Sequence, residues 1–321
     1  MKLVTEVSIP DFPFRIDHGT PMLMLGSCFT DHIGGLLKKY LFPVLVNPFG
    51  VIYNPLSVKK GLDALLHRDS YTESDLQQFN DLWFSFDHYT LFSSPRRNEA
   101  LQRINREFEK GKQFMGSVRF LIITWGTAWV YRYRPTGEVV CNCHKIPAAR
   151  FTRSRLTAEE IQAAYEPLIR DLLGKVEDMH ILLTVSPVRH WKDGAHGNQL
   201  SKATLLLAAE ALTGSFPGKV GYFPSYEIVM DELRDYRYYA EDMLHINSQA
   251  TRYIWERFRE SLISDRSRAI ITELQPLLGM LEHRPLHPES LSSLKMFRQR
   301  DRMLKEMQQK YPHLAWEHLE E

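Results

Sequence analysis

Short apolar runs rich in β-branched and aromatic residues alternate along the chain with stretches whose apolar residues recur every three or four positions. The first pattern is that of strands buried on both faces; the second is that of helices presenting one face to a core. Strands read in this way run from Met22 to Leu25, Val44 to Val46, Phe120 to Trp125, Ile181 to Val185 and Val220 to Phe223. Between them, "RRNEALQRINREFEKGKQF" and "TAEEIQAAYEPLIRDLLGKV" carry helical spacing, and the second opens on Thr157 with Glu160 three positions later, a capping box. Strands separated by helical crossovers predict an α/β fold on a parallel sheet, with ligands bound at the carboxyl ends of the strands.

After Trp125 the period shortens to two. The stretch "AWVYRYRPTGEVVCNCH" reads as two alternating runs joined at "RPTGE", a β-hairpin inserted at the carboxyl end of a central strand, where it would wall or lid a site. From about Ser264 onward no strand signal appears. There "PESLSSLKMFRQRDRMLKEMQQKY" reads as a charged amphipathic helix whose Leu294, Phe297, Leu304 and Met307 stripe is expected to pack on the body. The expected organisation is a main domain over residues 1–263 and a C-terminal helical extension over 264–321.

Composition narrows the function. A chain of 321 residues with 44% hydrophobic content can bury a large core. Its 40 basic residues against 39 acidic ones create no overall field for a nucleic-acid backbone or an anionic membrane surface. A small neutral or locally charged ligand fits better. Cys28, Cys141 and Cys143 cannot all pair, and one intervening residue between the last two strains a disulfide, so reduced thiols and a cytoplasmic location are expected. The N-terminus lacks the continuous apolar stretch of a signal peptide, and no window approaches the roughly 18 to 20 apolar residues of a membrane span.

Candidate chemistry begins in "MLMLGSCFTDHIGG", where Ser27 and Cys28 sit side by side on the turn from a strand into a helix. Free N–H groups at a helix N-terminus favour a thiolate or a developing oxyanion, so either side chain is a candidate nucleophile. The alternative is that Gly26 and Ser27 only make the turn and Cys28 is a small buried hydrophobe. Far downstream, "AEDMLHINSQATRYIWERF" sets Asp242 three residues before His245, just ahead of a helix. An imidazole delivered by such a loop, with a carboxylate fixing its tautomer, is the division of labour of acyl-transfer triads.

Together, the strand followed by "GSCFT", "TWGTAWVYRYRPTGEVVCNCHKIP", "TVSPVRHWKDG" and "YFPSYEIVMDELRDYRYYAEDMLHIN" resemble the GSCFA-domain family of bacterial proteins, placed with the SGNH or GDSL hydrolase superfamily. The resemblance implies a flavodoxin-like, three-layer α/β/α fold and ester or acyl chemistry. Superposed on the superfamily's opening Gly-Asp-Ser-Leu, the chain offers Gly26, Ser27, Cys28 and Phe29, which makes Cys28 the nucleophile; a slip of one position makes it Ser27. The closing Asp-x-x-His falls on Asp242 and His245. The oxyanion glycine of the second block is matched to Gly50, and the third block, Gly-x-Asn, falls on Gly126, Thr127 and Ala128, so its asparagine is absent. Losing one oxyanion donor typically costs about 10²- to 10³-fold in rate, and Thr127, Asn54 or the hairpin are the replacements considered.

Other clusters are weaker. "CNCHK" brings Cys141, Cys143 and His144 close together, but no second Cys/His pair stands at zinc spacing, so neither metal nor cofactor is expected. His190, Asp193 and His196 lie in a loop leaving a strand, where they would bind substrate or form a mobile surface. Arg132, Arg134, Arg150, Arg153 and Arg155 read either as an anion clamp or as a solvated edge that discourages strand pairing. The expected function is an esterase or acyl hydrolase working through a covalent acyl-enzyme on a small-molecule or carbohydrate ester whose identity is not specified, the carbohydrate link being what the superfamily resemblance implies, with an acyltransferase to a sugar hydroxyl or a non-catalytic ligand-binding module as alternatives. Oligomeric state is not encoded in any of these patterns.

Overall fold

A computed structural model describes residues 4–176 and 178–319. In chain order its strands are β1 (Met22–Gly26), β2 (Val44–Val46), β3 (Gln77–Phe79), β4 (Leu82–Phe84), β5 (Phe120–Trp125), β6 (Trp129–Tyr133), β7 (Val139–Val140), β8 (Phe151–Arg155), β9 (His180–Val185) and β10 (Val220–Phe223). The helices are α1 (Cys28–Lys39), α2 (Pro55–His67), α3 (Arg97–Met115), α4 (Ala158–Lys175), α5 (Gly194–Ser215), the short α6 (Ser225–Glu227), α7 (Ser248–Leu262), α8 (Asp265–Glu282) and α9 (Leu291–Lys310). A π-helical turn, Ile228–Glu232, continues α6.

The protein is an α/β fold on a five-stranded parallel sheet, ordered β10-β9-β5-β1-β2 and flanked by helices. Burial on both faces explains the continuous apolar runs of its strands. In β1, Leu23 and Leu25 enter one core together with Leu121, Ile123 and Trp125 of β5, against α2, α3, α4 and α5. The alternate residues Met22 and Met24, with Phe120 and Ile122, enter a second core against α1 and α7. Period-two alternation thus assigns successive side chains of one strand to opposite helical layers.

Beyond Trp125, β6 pairs antiparallel with β7, Tyr131 opposite Val140, and also with β8, Trp129 opposite Arg155. No strand was expected at β8, because "FTRSR" is polar; only Phe151 is buried and pairing with β6 supplies the order. At the C-terminus, Leu41 joins Leu274, Leu277, Leu278 and Met307 in a third core, with Leu304 packed against it. The stripe expected along α9 is therefore used only over its second half, and Leu294 stays exposed.

Gly26 ends β1 opposite Thr124 of β5, at φ +149°. A Cβ there would lie 2.2 Å from the Thr124 carbonyl oxygen, so any side chain forces two central strands apart. Gly137, at φ +72°, has nothing within 4 Å of the same added atom. Gly26→Ala is expected to cost about 3 kcal/mol or more of stability in chemical denaturation, against about 1 to 2 kcal/mol for Gly137→Ala. Equal costs would show that the strand crossing does not constrain this position.

Candidate functional site

The turn after Gly26 gives its two candidate nucleophiles different surroundings. Ser27 is the N-cap of α1, 1% exposed, with its hydroxyl accepting the Phe29 N–H at 3.3 Å. Cys28 is the first residue of the helix and lines a cavity of about 650 Å³ together with Asp31, Asn47, Gly50, Tyr53, Tyr89 and His245. Arg103, Arg106 and Glu107 of α3 also line it.

His245 reaches this cavity through a local turn. Asp242 Oδ1 accepts the backbone N–H groups of Leu244 and His245, each at 2.9 Å, while Oδ2 meets His245 Nδ1 at 2.5 Å. An aspartate that bonds its own downstream backbone fixes the loop, and Met243 takes a left-handed φ of 59° to close it. Asn247 then caps α7 through Gln249 and Ala250, tying the loop to a helix docked on the second core. The bond to the His245 ring, reinforced by the two backbone donors, holds the Asp242 carboxyl down to about 2. With Nδ1 occupied, Nε2 is the ring nitrogen left for proton transfer.

Burial dominates the charge state around Cys28. It pushes the thiol above its ordinary value, and the Asp31 carboxylate adds to the effect. The N–H groups of Cys28 and Phe29 and the charge of Lys202 pull the other way without prevailing, so the helix N-terminus does not by itself yield a resting thiolate. Asp31 is itself raised by burial, opposed by the Asn47 amide at 2.6 Å. Burial, then the proximity of Cys28, lifts the Tyr53 phenol to about 12, leaving a neutral O–H donor in the cavity wall.

The residues matched to oxyanion blocks have other partners. Gly50 lines the cavity, but its N–H donates to Asn47 O at 2.7 Å. The N–H groups of Gly126 and Thr127 both donate to Tyr53 O, at 2.7 and 3.0 Å. Thr127 Oγ1 meets Ser201 Oγ at 3.1 Å, and the buried Ala128 donates its N–H to the same hydroxyl at 2.7 Å. Asn54 is the N-cap of α2, accepting Ser57 N–H at 2.9 Å and donating to Ser57 Oγ at 3.0 Å. The His190 ring packs against Gly126, where an added Cβ would lie 3.1 Å from Nε2 and 3.4 Å from Ser27 Cβ. Burial first, then the charges of Lys202 and His245, push His190 down to about 3, so it stands neutral. The structure thus gathers Cys28, Gly50 and His245 around one cavity with Asp242 behind, and sets Ser27, Gly126 and His190 against one another beside it.

Lys202 was not anticipated from the sequence. It is 1% exposed, and its Nζ donates to Gly126 O at 2.7 Å and Ser186 O at 2.6 Å, bridging the segments that leave β5 and β9. Burial pushes it down to about 7, with the field of Cys28 opposing. The two carbonyls take two of its N–H groups. A signal was present: Asn198, Ser201, Lys202, Leu205, Ala208 and Leu212 share the buried face of α5, so helical spacing alone puts this lysine inside. Tyr53, Asp31, Arg103 and Arg106 carried no such signal, because their segments meet only in the fold.

Elsewhere, His144 Nε2 lies 2.9 Å from Ser85 O and its ring stacks on Phe84, while Cys141 Sγ faces Val51 O at 3.9 Å. Among the described residues, no group of three or more His, Cys, Asp or Glu side chains could hold a metal ion. Arg153 pairs with Asp193 and lies over the Trp129 ring, and Arg155 donates to Leu200 O and Thr204 Oγ1.

The GSCFA family model matches residues 21–258, which include the Cys28 turn and the Asp242–His245 loop. The chain belongs to the GSCFA family. No curated protein and no solved structure matches this GSCFA protein. No helix among its described residues is long and apolar enough to cross a membrane.

Two outcomes follow from these electrostatics. Iodoacetamide should alkylate Cys28 more slowly at neutral pH than an unperturbed thiol, and Asp31→Asn should lower the pH at which the rate rises, read by peptide mass mapping; an unchanged profile would remove Asp31 as a cause. Between about pH 7, the native value of Lys202, and its ordinary 10.5, the unfolded chain keeps a proton that the native state has released. This group's contribution to stability therefore rises with pH across that window, by at most about 1.4 kcal/mol per pH unit. The unfolding free energy of the native protein minus that of Lys202→Met should climb from pH ~7 to ~9.5; a flat difference would mean that the lysine is not perturbed.

Proposed function

We propose that this GSCFA protein is an esterase or acyl hydrolase of SGNH-like design, in which Cys28 forms a covalent acyl intermediate. The observation that carries the reading is that Cys28 and His245, 217 positions apart in the chain by their numbers, line one cavity while Asp242 holds His245 Nδ1 at 2.5 Å. Cys28 Sγ attacks the acyl carbonyl as His245 Nε2 takes the thiol proton, so no resting thiolate is needed. The Asp242 carboxylate supports the imidazolium that results. The N–H of Cys28, which has no intrahelical acceptor at the first position of α1, and the Tyr53 hydroxyl are the donors assigned to the oxyanion. Collapse breaks the ester bond, and His245 returns the proton to the leaving alkoxide. Water, deprotonated by His245, then attacks the thioester; the C–S bond breaks, the acid leaves, and His245 returns the proton to the Cys28 thiolate, while a sugar hydroxyl in place of water makes the protein an acyltransferase. A carbohydrate-linked ester as substrate rests on the superfamily resemblance.

A second reading, a ligand-binding module on the same fold, is favoured by one observation: Ala128 stands where an asparagine donor is implied, and its N–H is bound to Ser201. Incubation with a small activated acetyl ester, followed by intact mass, separates the two. The expected result is an acetyl adduct that survives Ser27→Ala and vanishes in Cys28→Ala, with His245→Ala slowing its formation about 10²- to 10⁴-fold. Loss of the adduct with Ser27→Ala instead would transfer the role to Ser27. No adduct and no turnover across esters and thioesters would leave the binding module.

A further inference from the structure

A second cavity, of about 510 Å³, lies on the other side of the Asp242–His245 loop: Asp242 lines this one and His245 lines the first. Its volume is within the range of roughly 300 to 1,000 Å³ usual for small-molecule sites. The buried Val229 and Leu233 form an apolar floor, and Trp191, Tyr236 and Met243, which are 51%, 74% and 50% exposed, form the rim. Large apolar side chains left this exposed around a concavity are the ordinary mark of a binding surface.

Charge selects the occupant. Most of the charged groups lining this cavity have partners: Arg234 pairs with Asp231 at 2.8 Å, Asp235 with Arg237 at 2.8 Å, and Asp242 with His245. Arg189 does not. It is in no ion pair among the described residues, its Nε is buried without a hydrogen-bond partner, and its guanidinium lies 5.1 Å over the Trp191 ring. Its backbone N–H donates to Leu244 O at 3.4 Å, which ties it to the His245 loop. The Trp191 ring covers the face of this guanidinium while its edge has no carboxylate partner among the described residues, and a carboxylate is the group whose two oxygens match its fork.

We propose that this cavity binds an aliphatic carboxylate, its chain on the Val229 and Leu233 floor and its head group on Arg189. The site stands independently of the acyl chemistry proposed for Cys28. Calorimetric titration of Cys28→Ala protein with octanoate, and with octanol as the neutral probe of equal length, tests it. Octanoate should bind, with octanol at least about tenfold weaker, and Arg189→Leu should reduce octanoate affinity about 10- to 100-fold while leaving octanol unchanged. Met243→Glu, on the exposed rim, should weaken octanoate alone and serves if the Arg189 variant does not fold. Absence of octanoate binding, equal affinity for octanol, or octanoate affinity unaltered by these variants would overturn the proposal. Because octanoate and octanol are neither esters nor thioesters, failure of the acyl reading leaves this measurement unaffected.

Discussion

A buried amine joins the two segments that leave the middle of the sheet. Lys202 reaches from α5 to the carbonyls of Gly126 and Ser186, just past the ends of β5 and β9. Burying a cation without a carboxylate is costly, which pushes the pKa of Lys202 down to about 7, and the two carbonyls take two of its N–H groups. The same position in space supports the rest: Gly126 packs against the His190 ring and beside Ser27, and its amide, with that of Thr127, fixes the carbonyl of Tyr53. The segments after β2, β5 and β9 are thereby cross-linked by hydrogen bonds from backbone and lysine.

The upper half of the site depends on short-range geometry. Asp242 spends one oxygen on two backbone N–H groups and the other on the imidazole, so the loop and the ring are oriented by one carboxylate. Docking of α7 through Ile254, Trp255 and Phe258 sets where this preassembled turn sits above α1. Around Cys28 the forces compete: helix amides and Lys202 favour the thiolate, burial and Asp31 disfavour it, and the second pair prevails. A nucleophile in that condition needs its base in the same step, which is why the placement of His245 carries the functional proposal.

Two cavities back onto the same loop, and consecutive residues divide between them. Arg189 lines the second cavity, while the ring of His190 packs against Gly126 beside the first. The hydrogen-bonded pair Asp242 and His245 contributes one residue to each wall, Asp242 to the second cavity and His245 to the first.

Local pattern was enough for much of this protein. The continuous apolar runs, the capping box at Thr157 and the helical spacing determined the parallel α/β body, since burial on both faces of a strand leaves a signature in contiguous residues. The Asp242–His245 pairing was equally legible, as both partners lie within one turn. Tertiary structure alone decided that Ser27 caps the helix while Cys28 faces a cavity, that the Gly50, Gly126 and Thr127 amides have acceptors of their own, and that Tyr53 and Arg103 share a wall with Cys28. These depend on which segments approach across the ends of the sheet, and a hydrogen bond or a cavity wall made between distant segments imposes no spacing on either of them.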